Sequence, residues 1–398
     1  MLLFFAFVFG TESRKPLFLV PGILASKLQM SVTGESKHWF CPKGVNKSIF
    51  SSILNFVPPM LQCTMEYGGV RYNRANDSLV DEENVEITPY DFGGLSGIDY
   101  LIKLPFGLNF IPRFNDYIQI LKKHGYVEGK DLFGVPNDWR LGVFQKDSFW
   151  MNFKNLIEKG VNENKEKAII HAHSMGCMVV QRFLNDFVSD EWKEKYIDNV
   201  VYIGPSFAGA THSLSILIES KYHGMKFQGL TKFLQHLSSA YQLLPNLELN
   251  GDVPIILTPN RTYLISEIEE YFLTHKELDE EEKMILKKSI EISHRTQKEN
   301  NVKTLIIYNS AIPTRFAVDM RTNKTVYIRK RGDGVVLSDG IEEICKKWKM
   351  EKKLECIDVH EVALSHNKLI MNPISINFIM KWSLNNDNKT QSQKYTEL

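Results

Sequence analysis

The chain has 398 residues, enough for one large domain with a single core or for two domains of average size. Its 48 Lys and Arg residues are balanced by 47 Asp and Glu residues, so it lacks the basic excess of a nucleic-acid-binding protein. Hydrophobic residues make up 43% of the chain and charged residues 24%, as in ordinary globular proteins. We therefore expect a globular protein without a nucleic-acid partner.

The chain begins with an apolar run over residues 1–10. This run is too short to span a bilayer, which takes about 20 residues. It is typical of the apolar part of a secretory signal peptide, although the usual basic start is missing. A buried first strand is the alternative, but polar and charged residues follow at once and a better strand begins at Leu17. No other segment is long and apolar enough to be a membrane span.

Two further features favour the secretory pathway. The chain has five Asn-x-Ser/Thr sequons for N-glycosylation. It also has five cysteines, which suit two disulfides and one free thiol in an oxidising compartment. We expect a protein that is secreted or resides in a lysosomal or vacuolar lumen. The sequons are at Asn46, Asn76, Asn260, Asn323 and Asn388, and the cysteines are Cys41, Cys63, Cys177, Cys345 and Cys356.

Short apolar runs, several of them ended by Gly or Pro, predict buried strands. They cover residues 17–20, 168–172, 200–203, 305–308, 326–328 and 356–359. Helical patterns lie between several of these runs, notably over 150–157 and 179–187. Strands that alternate with helices indicate an α/β fold with a mostly parallel sheet covered on both faces.

The domain organisation follows from where this alternation breaks. Residues 14–384 are predicted to form one domain, in which 213–304 is a cap or lid inserted over the sheet. The insertion is long and mixed and contains the charged helical sequence 277–288. The polar tail over 385–398 is predicted to be disordered.

The strand over 168–172 leads directly into Ala172-His173-Ser174-Met175-Gly176. This is the strand–turn–helix pattern G-x-S-x-G with Ala172 in place of the first Gly. The turn is tight and needs small residues on both sides of the serine, and Ala is the smallest step up from Gly. Such an elbow exposes the Ser174 hydroxyl as a nucleophile, and the backbone N–H of Met175 can stabilise an oxyanion. A serine in an ordinary turn is the alternative, which the flanking strand and helix disfavour.

A serine nucleophile needs a base that is oriented by an acid, in the chain order Ser, acid, His for this type of elbow. We predict Asp333 as the acid, because it lies in a glycine-flanked loop after the strand over 326–328. A plain turn aspartate is the alternative reading. The rival acids are Asp339 and Asp358, and Asp358 lies inside a predicted strand.

Two histidines compete for the role of the base. His366 precedes an apolar helix, and His360 follows directly on the last predicted strand. A catalytic histidine needs a loop that reaches over the sheet, and this requirement favours His366. His173 is expected to point away from the nucleophile along the elbow, and both His171 and His173 are expected to serve structural packing.

These residues resemble the lecithin:cholesterol acyltransferase family, which includes lysosomal phospholipase A2. The matching segments are ordered along most of the chain. Ala172 to Cys177 is similar to the elbow of the phospholipase branch, and Asn137 replaces the Tyr of the family's Y-D-W-R segment. The other segments that resemble the family are 20–24, 39–41, 63, 192–193, 204–209, 332–334 and 365–366.

The resemblance implies an α/β-hydrolase fold with a membrane-binding loop and a cap. It also implies an oxyanion hole made by the backbone N–H groups of Ile23 and Met175. The family usually has a polar or aromatic residue where Ile23 stands, but the backbone group carries the role.

The same resemblance implies how the cysteines pair. Cys41 and Cys63 would close the membrane-binding loop. Cys345 and Cys356 would pair with each other, although the family's partner cysteine lies on the strand around 305–308. Cys177 would be a buried free thiol in the elbow helix.

The loop over 41–63 is unusually apolar for a soluble enzyme. We predict that it anchors the protein on lipid, and a small buried satellite core is the alternative. The predicted lipid-binding residues are Phe50, Ile53, Leu54, Phe56, Val57, Met60 and Leu61.

The resemblance thus implies a serine phospholipase A/O-acyltransferase with the catalytic residues Ser174, Asp333 and His366. An acyl-enzyme on Ser174 would pass its acyl group to water or to a lipid alcohol. A neutral-lipid carboxylester hydrolase and a catalytically silent lipid-binding protein are the alternatives. We expect a monomer that meets a phospholipid membrane or lipid particle peripherally. The sequence shows no metal-ligand spacing, and we expect neither a metal nor a cofactor.

Overall fold

A computed structural model describes most of the chain. The predicted signal peptide over 1–10 and the predicted tail over 385–398 lie outside the described residues. Described are residues 14–50, 55, 58–103, 109–219, 221–222, 225–226, 230–295, 297–348 and 354–384.

The secondary structure alternates between strands and helices over most of the described chain. The strands are β1 (Leu17–Val20), β2 (Leu28–Val32), β3 (Gly44–Ile49), β4 (Val70–Asn73), β5 (Ser78–Asp81), β6 (Val85–Pro89), β7 (Tyr100–Lys103), β8 (Asn109–Pro112), β9 (Leu132–Gly134), β10 (Ala168–His173), β11 (Ile197–Ile203), β12 (Lys221–Tyr222), β13 (Met225–Lys226), β14 (Pro254–Leu257), β15 (Thr262–Leu264), β16 (Lys303–Tyr308), β17 (Ile312–Asp319), β18 (Val326–Gly332) and β19 (Leu354–Asp358). The α-helices are α1 (Met60–Tyr67), α2 (Asn115–Lys123), α3 (Asp147–Asn164), α4 (Met175–Arg182), α5 (Asp190–Tyr196), α6 (Thr211–Glu219), α7 (Leu230–Gln235), α8 (Ser238–Gln242), α9 (Leu247–Asn250), α10 (Ile268–His275), α11 (Glu280–Ser293), α12 (Ser338–Lys347) and α13 (Pro373–Leu384). A π-helical turn, Phe183–Phe187, extends α4, and short 3₁₀ helices cover Ile265–Glu267 and His366–Ile370.

The central sheet has six strands in the order β19-β16-β11-β10-β1-β9, and all neighbours are parallel. Its strands are continuous apolar runs, as expected for strands that are buried on both faces. The predicted α/β fold with a mostly parallel sheet is confirmed. Because all strands run the same way, the ends of β1, β10 and β11 meet at one edge, where Val20 pairs with Ala172 and His173 with Ile203.

Two hydrophobic cores cover the two faces of this sheet. The alternation along β1 shows the division, because Phe18 contributes to one core and Leu19 to the other. Phe153 of α3 and Val179 of α4 belong to the first core. Tyr117 of α2 lies in the second, together with apolar residues of α13. Helices therefore pack on both faces and hold the strand ends in place.

The strand predicted over 326–328 is real but belongs to a different sheet. It extends over Val326–Gly332 as β18, the edge strand of a four-stranded sheet in the order β15-β14-β17-β18. Its side chains include the exposed Val326 and Ile328, whereas the central strands are buried on both faces. β14 and β15 come from the predicted insertion over 213–304, so this small sheet joins the insertion to the segment that carries Asp333.

Both predicted disulfides are present. One joins Cys41 to Cys63 and the other joins Cys345 to Cys356. Cys177 is a buried free cysteine, as expected. Among the residues that the structure describes, no helix is long and apolar enough to cross a membrane.

Candidate active site

Ser174 stands at the sharp turn between β10 and α4. Its backbone has φ 57° and ψ −127°, a conformation that L-residues rarely adopt. A Cβ atom at Gly176 would lie 2.5 Å from the carbonyl oxygen of Pro21 and 2.6 Å from that of Val20. Only glycine fits there, because a backbone obstacle cannot swing away as a flexible side chain can. The glycine of the motif thus lets α4 start directly against the end of β1.

The loop after β1 lies against Ser174. A Cβ atom at Gly22 would come within 2.7 Å of the Ser174 Cβ atom and 3.2 Å of its Oγ atom. The predicted oxyanion residue Ile23 follows directly. Met175, the other predicted donor residue, begins α4, and the first N–H groups of a helix have no acceptor within the helix. One predicted donor residue, Ile23, therefore follows the glycine that lies against Ser174, and the other, Met175, follows Ser174 directly in the chain.

Asp333 and His366 are brought together. The His366 Nδ1 atom lies 2.7 Å from Asp333 Oδ2, and both side chains are buried. The other oxygen, Asp333 Oδ1, accepts hydrogen bonds from the backbone N–H groups of Val335 and Val336 at 3.0 and 2.7 Å. Contacts thus hold both oxygen atoms of the Asp333 carboxylate, and Oδ2 is the one that faces the imidazole.

Ser174 is linked to this pair through the end of β11. The Ser174 N–H donates to the carbonyl of Ile203 at 3.0 Å. The next residue, Gly204, is so close to both side chains that a Cβ atom would lie 3.2 Å from His366 Nδ1 and 3.3 Å from Asp333 Oδ2. The second ring nitrogen of the histidine, His366 Nε2, is buried and has no hydrogen-bond partner among the described residues. A buried polar atom of this kind calls for a functional explanation.

The rival acid and base lie elsewhere. His360 is on the surface, with a side chain that is 60% exposed, and its Nδ1 atom is 3.3 Å from Asp358 Oδ2. Asp358 is engaged by Ser310, whose hydroxyl donates to it at 2.5 Å. Asp339 is exposed and forms an ion pair with Arg331 at 3.4 Å. None of these side chains is placed at the elbow by the contacts that the structure shows.

His173 serves packing, as predicted, but the expectation that it points away from the site is wrong. Its ring lies 4.6 Å from the ring of His366, centroid to centroid. Its Nε2 atom is 3.1 Å from the backbone carbonyl oxygen of His366. Burial, together with the neighbouring His366, holds the pKa of His173 well below its usual range. A neutral His173 can donate this hydrogen bond and so supports the segment that carries His366.

His171 is part of a buried polar chain on the other side of the strand. Its Nδ1 atom is 2.8 Å from the Tyr117 hydroxyl and its Nε2 atom is 2.8 Å from the Ser383 hydroxyl. Burial lowers the pKa of His171 to about 3, so this residue is neutral at physiological pH. The expected packing role fits these contacts.

The free thiol of Cys177 is enclosed by its surroundings. Cys177 is buried in the first turn of α4, with Sγ 3.2 Å from the carbonyl oxygen of Ala172. Burial raises the pKa of the Cys177 thiol well above its usual range. Because only the thiolate is strongly nucleophilic, this cysteine is unreactive.

The apolar loop closed by Cys41 and Cys63 differs in part from the prediction. The role of an exposed lipid anchor is wrong for Phe50, which is 1% exposed and packs against Trp139 and Phe233 at ring distances of 5.0 and 5.6 Å. Met60 and Leu61 are half-buried on α1, and Ile53, Leu54, Phe56 and Val57 lie outside the described residues.

The highly exposed aromatic residue of this region is not among the predicted lipid-binding residues, although it lies in a segment that resembles the family's membrane-binding loop. Trp39, two residues before Cys41, is 92% exposed and makes an edge contact with Phe40 at 5.9 Å. A tryptophan that is almost wholly exposed is unusual for a soluble surface. The signal available in the sequence was its position at the start of the apolar loop.

One group of potential metal ligands occurs among the described residues, away from the elbow. Ligand atoms of His236, Asp279 and Glu282 lie within 4.8 Å of one another. Asp279 and Glu282 form the capping box of α11, in which each side chain accepts the backbone N–H of the other. His236 Nε2 lies 3.2 Å from Glu282. Helix capping accounts for the placement of the two carboxylates, as it does in many proteins.

The parallel sheet, the helices that cover it and the serine at its elbow define an α/β-hydrolase, an enzyme class built around such a turn. A solved structure, that of the Tle4–Tli4 complex, is similar with a TM-score of 0.53 and 11% identity, and the match covers 93% of this chain and 97% of that chain. This likeness supports the fold.

The chain belongs to the lecithin:cholesterol acyltransferase family, whose model matches residues 45–323. It is 23% identical to a phosphatidylcholine-sterol acyltransferase of Gallus gallus over 92% of this chain and 89% of that protein. It is 22% identical to a lysosomal phospholipase A and acyltransferase of Homo sapiens over 92% of this chain and 90% of that protein. The predicted family is confirmed, and with it the prediction of an enzyme of the phospholipase and acyltransferase type.

Proposed function

We propose that the chain is a serine phospholipase A/O-acyltransferase in which Ser174, Asp333 and His366 carry the chemistry. The observation behind this proposal is the buried His366 Nε2 atom without a hydrogen-bond partner among the described residues. It belongs to an imidazole whose other nitrogen is held 2.7 Å from Asp333, beside the turn that presents Ser174. A base that is oriented on one side and open on the other is what a serine nucleophile needs.

In the first half of the reaction, Ser174 Oγ attacks the carbonyl carbon of a phospholipid acyl ester and His366 Nε2 takes its proton. The negative charge on the carbonyl oxygen is stabilised by the backbone N–H groups of Ile23 and Met175. The C–O ester bond then breaks, and His366 returns the proton to the departing oxygen. The lysophospholipid leaves, and the acyl group remains esterified to Ser174.

In the second half, water or a lipid alcohol donates a proton to His366 Nε2 and attacks the acyl-enzyme. The Ser174 ester breaks, and Oγ regains the proton. Water yields a fatty acid, and an alcohol yields an acylated lipid. Asp333 keeps its negative charge throughout and stabilises the imidazolium that forms in each half. The printed names of the relatives, a sterol acyltransferase and a phospholipase A and acyltransferase, favour this pair of outcomes.

The substrate side of the proposal is a lipid surface that the protein meets peripherally. The exposed Trp39 at the start of the disulfide-closed loop supports this, since tryptophan prefers the boundary between headgroups and acyl chains. A location in a lumen of the secretory pathway, or outside the cell, fits the disulfides. The sequon residues Asn46, Asn76, Asn260 and Asn323 are all exposed, as glycosylation requires.

The test uses phosphatidylcholine vesicles that contain a sterol or a ceramide-like alcohol, with purified wild type and Ser174→Ala. Free fatty acid, lysolipid and acylated alcohol are measured together by mass spectrometry. We expect lysolipid release that is lost in Ser174→Ala, and the ratio of acylated alcohol to fatty acid identifies the acceptor.

If a fluorophosphonate probe labels Ser174 but no lysolipid appears, the phospholipid substrate is wrong and a neutral-lipid ester takes its place. If Ser174 is not labelled and no ester is cleaved, the chain is a lipid-binding protein without catalysis.

A further inference from the structure

The loop from Pro21 to Leu24, which lies against the nucleophile, is held at both ends by side chains that come from distant parts of the chain. The Asn137 Nδ2 group donates to the carbonyl of Pro21 at 2.7 Å. The Arg113 Nε group donates to the carbonyl of Leu24 at 2.9 Å. We propose that Asn137 and Arg113 are positioning residues that hold this loop so that the Ile23 N–H is aimed at the oxyanion. This inference rests on the proposed function and concerns the same site.

Asn137 is fixed in its own right. It is completely buried just after β9, and its backbone N–H donates to the Ser26 hydroxyl at 2.9 Å. Its Oδ1 atom has no hydrogen-bond partner among the described residues, whereas its Nδ2 group donates to the Pro21 carbonyl. A buried amide oxygen without a hydrogen-bond partner calls for an explanation. A role of the Nδ2 group in holding Pro21 provides one.

The carbonyl that Asn137 holds is also the one that touches the elbow. A Cβ atom at Gly176 would lie 2.5 Å from the Pro21 oxygen, so the start of α4 packs directly on this group. Three parts of the site therefore meet at one oxygen atom: the loop, the elbow helix and the Asn137 amide. A shift of Pro21 would change the distance between the two predicted oxyanion donors.

At the other end of the loop, Leu24 has φ 54°, in the left-handed region that is unfavourable for a leucine. Such a conformation persists where surrounding contacts impose it. Arg113 supplies one such contact. Its own backbone N–H donates to the backbone carbonyl of Asp99 at 2.8 Å, which fixes the position of the arginine.

The two hydrogen bonds determine which way the loop can present its N–H groups. Within a peptide plane the C=O and the N–H point in opposite directions. With the Pro21 and Leu24 carbonyls both fixed, the peptides between them, including the one that carries the Ile23 N–H, have little freedom to rotate. Oxyanion donors contribute to catalysis because they are oriented before the charge develops. Loss of either bond should therefore slow the chemical step without weakening the binding of substrate.

The experiment compares Asn137→Ser, Arg113→Met and the conservative Arg113→Lys with wild type. The matched control is Asn164→Ser, because Asn164 is also a buried asparagine whose amide donates to backbone carbonyls, at 2.7 and 2.9 Å. The measurements are kcat and KM with p-nitrophenyl butyrate, and the inhibition constant of an alkyl trifluoromethyl ketone. The ketone forms a tetrahedral adduct with an oxyanion, so its affinity reports the donors directly. The thermal midpoint of each variant is recorded as well.

We expect Asn137→Ser and Arg113→Met to lower kcat about 10- to 100-fold, with KM changed by less than about 3-fold. The inhibition constant of the ketone should rise by the same factor as kcat falls. Arg113→Lys should recover most of the loss, since its ammonium can donate to the Leu24 carbonyl. Asn164→Ser should lower the thermal midpoint but leave both kinetic quantities near wild type.

Wild-type kcat and ketone affinity in Asn137→Ser and Arg113→Met would overturn the proposal, as would a loss of kcat with unchanged ketone affinity. If Asn137→Ser does not fold, the Arg113 pair decides by the same criteria. A wild type that cleaves no ester and is not labelled at Ser174 by a fluorophosphonate would instead overturn the proposed function, and this inference with it.

Discussion

His366 is tied to Asp333 twice, since its backbone N–H donates to the Asp333 carbonyl at 2.9 Å and its Nδ1 atom lies 2.7 Å from the Asp333 carboxylate. The backbone bond holds the two loops together even if the side-chain bond is lost. The side-chain bond sets the tautomer, because a carboxylate accepts and so leaves the proton on Nδ1 and a free lone pair on Nε2. Geometry and protonation state are thus controlled by separate contacts.

We predict that Asp333→Asn removes the activity without unfolding the site. The Asn oxygen can still accept from Val335 and Val336, which places its NH₂ group against His366 Nδ1. The imidazole must then carry its proton on Nε2, where it cannot accept one from Ser174. We expect kcat to fall by about 10³- to 10⁴-fold with an unchanged thermal midpoint. Ester hydrolysis and differential scanning fluorimetry provide the measurements.

The control for this prediction is Asp358→Asn, because Asp358 is the acid that pairs with the exposed His360. Its substitution should leave kcat within about 2-fold of wild type, since neither residue contacts the elbow in the described structure. Inactivation by Asp358→Asn, together with an active Asp333→Asn, would reverse the assignment of the acid.

The two small residues of the elbow should respond differently to substitution. In Gly176→Ala the new methyl group meets the Pro21 and Val20 carbonyl oxygens at 2.5 and 2.6 Å, and neither can move without displacing β1. Ala172→Gly restores the commoner motif and only removes a methyl group. We expect Gly176→Ala to lose activity by at least about 100-fold or to fail to fold, and Ala172→Gly to stay within about 5-fold of wild type. Equal effects in purified proteins would contradict this view of the turn.

The central fold could be predicted from the sequence because its signals are local. β1 was predicted with its observed limits, and β10, β11, β16 and β19 were each found within a few residues. A strand that is buried on both faces is a continuous apolar run, and the Gly or Pro that ends it lies next to it in the chain. The elbow is visible in the sequence for the same reason, since Ala172, Ser174 and Gly176 lie within five consecutive residues.

The features that were missed depend on contacts between distant residues. Phe50 has the same apolar side chain whether it faces lipid or the core, and its burial depends on Trp139 and Phe233, which no local pattern connects to it. Asn137, which follows β9, reaches the loop after β1 because β9 lies beside β1 in the sheet. Arg113 reaches the same loop because α2, which follows it in the chain, packs on one face of that sheet. Side-chain direction at such positions is a property of the tertiary structure.

Trp39 is predicted to contribute to docking on lipid and not to the chemistry. Trp39→Ser removes a side chain that is 92% exposed and whose burial in a bilayer interface would be worth about 1.5 kcal/mol or more. We expect the apparent Kd for phosphatidylcholine vesicles to rise about 10-fold, as measured by co-sedimentation. The turnover of soluble p-nitrophenyl butyrate should be unchanged, because Trp39 contacts none of Ser174, Asp333 and His366 in the described structure.

Met151→Ser is the matched control for Trp39→Ser, since Met151 is also an exposed apolar residue, at 64%, but lies on α3. Its vesicle affinity should equal that of wild type. If both variants bind vesicles as tightly as wild type, Trp39 is not a docking residue, and lipid affinity comes from other residues.

His171 is predicted to make the fold sensitive to acid. Burial lowers its pKa to about 3, whereas a histidine in the unfolded chain has a pKa of about 6.5. Between these values the unfolded chain binds one proton that the folded chain does not, so the free energy of unfolding decreases as the pH falls below about 6.5. For one such group the loss between pH 7.5 and 5 is about 2 kcal/mol. The lowered pKa of His173 adds a contribution of the same sign.

His171→Gln replaces the titrating ring by a neutral group that can still reach the Tyr117 and Ser383 hydroxyls. We expect it to be about 1 to 3 kcal/mol less stable than wild type at pH 7.5, because the hydrogen bonds will be less well formed. Between pH 7.5 and 5, however, it should lose about 2 kcal/mol less than wild type does. Urea unfolding at both pH values gives the two differences, and His360→Gln, at an exposed position, should keep the wild-type dependence. An equal loss of stability in wild type and His171→Gln would mean that His171 takes up its proton in the folded state without strain, and that the acid sensitivity of the fold lies in other groups.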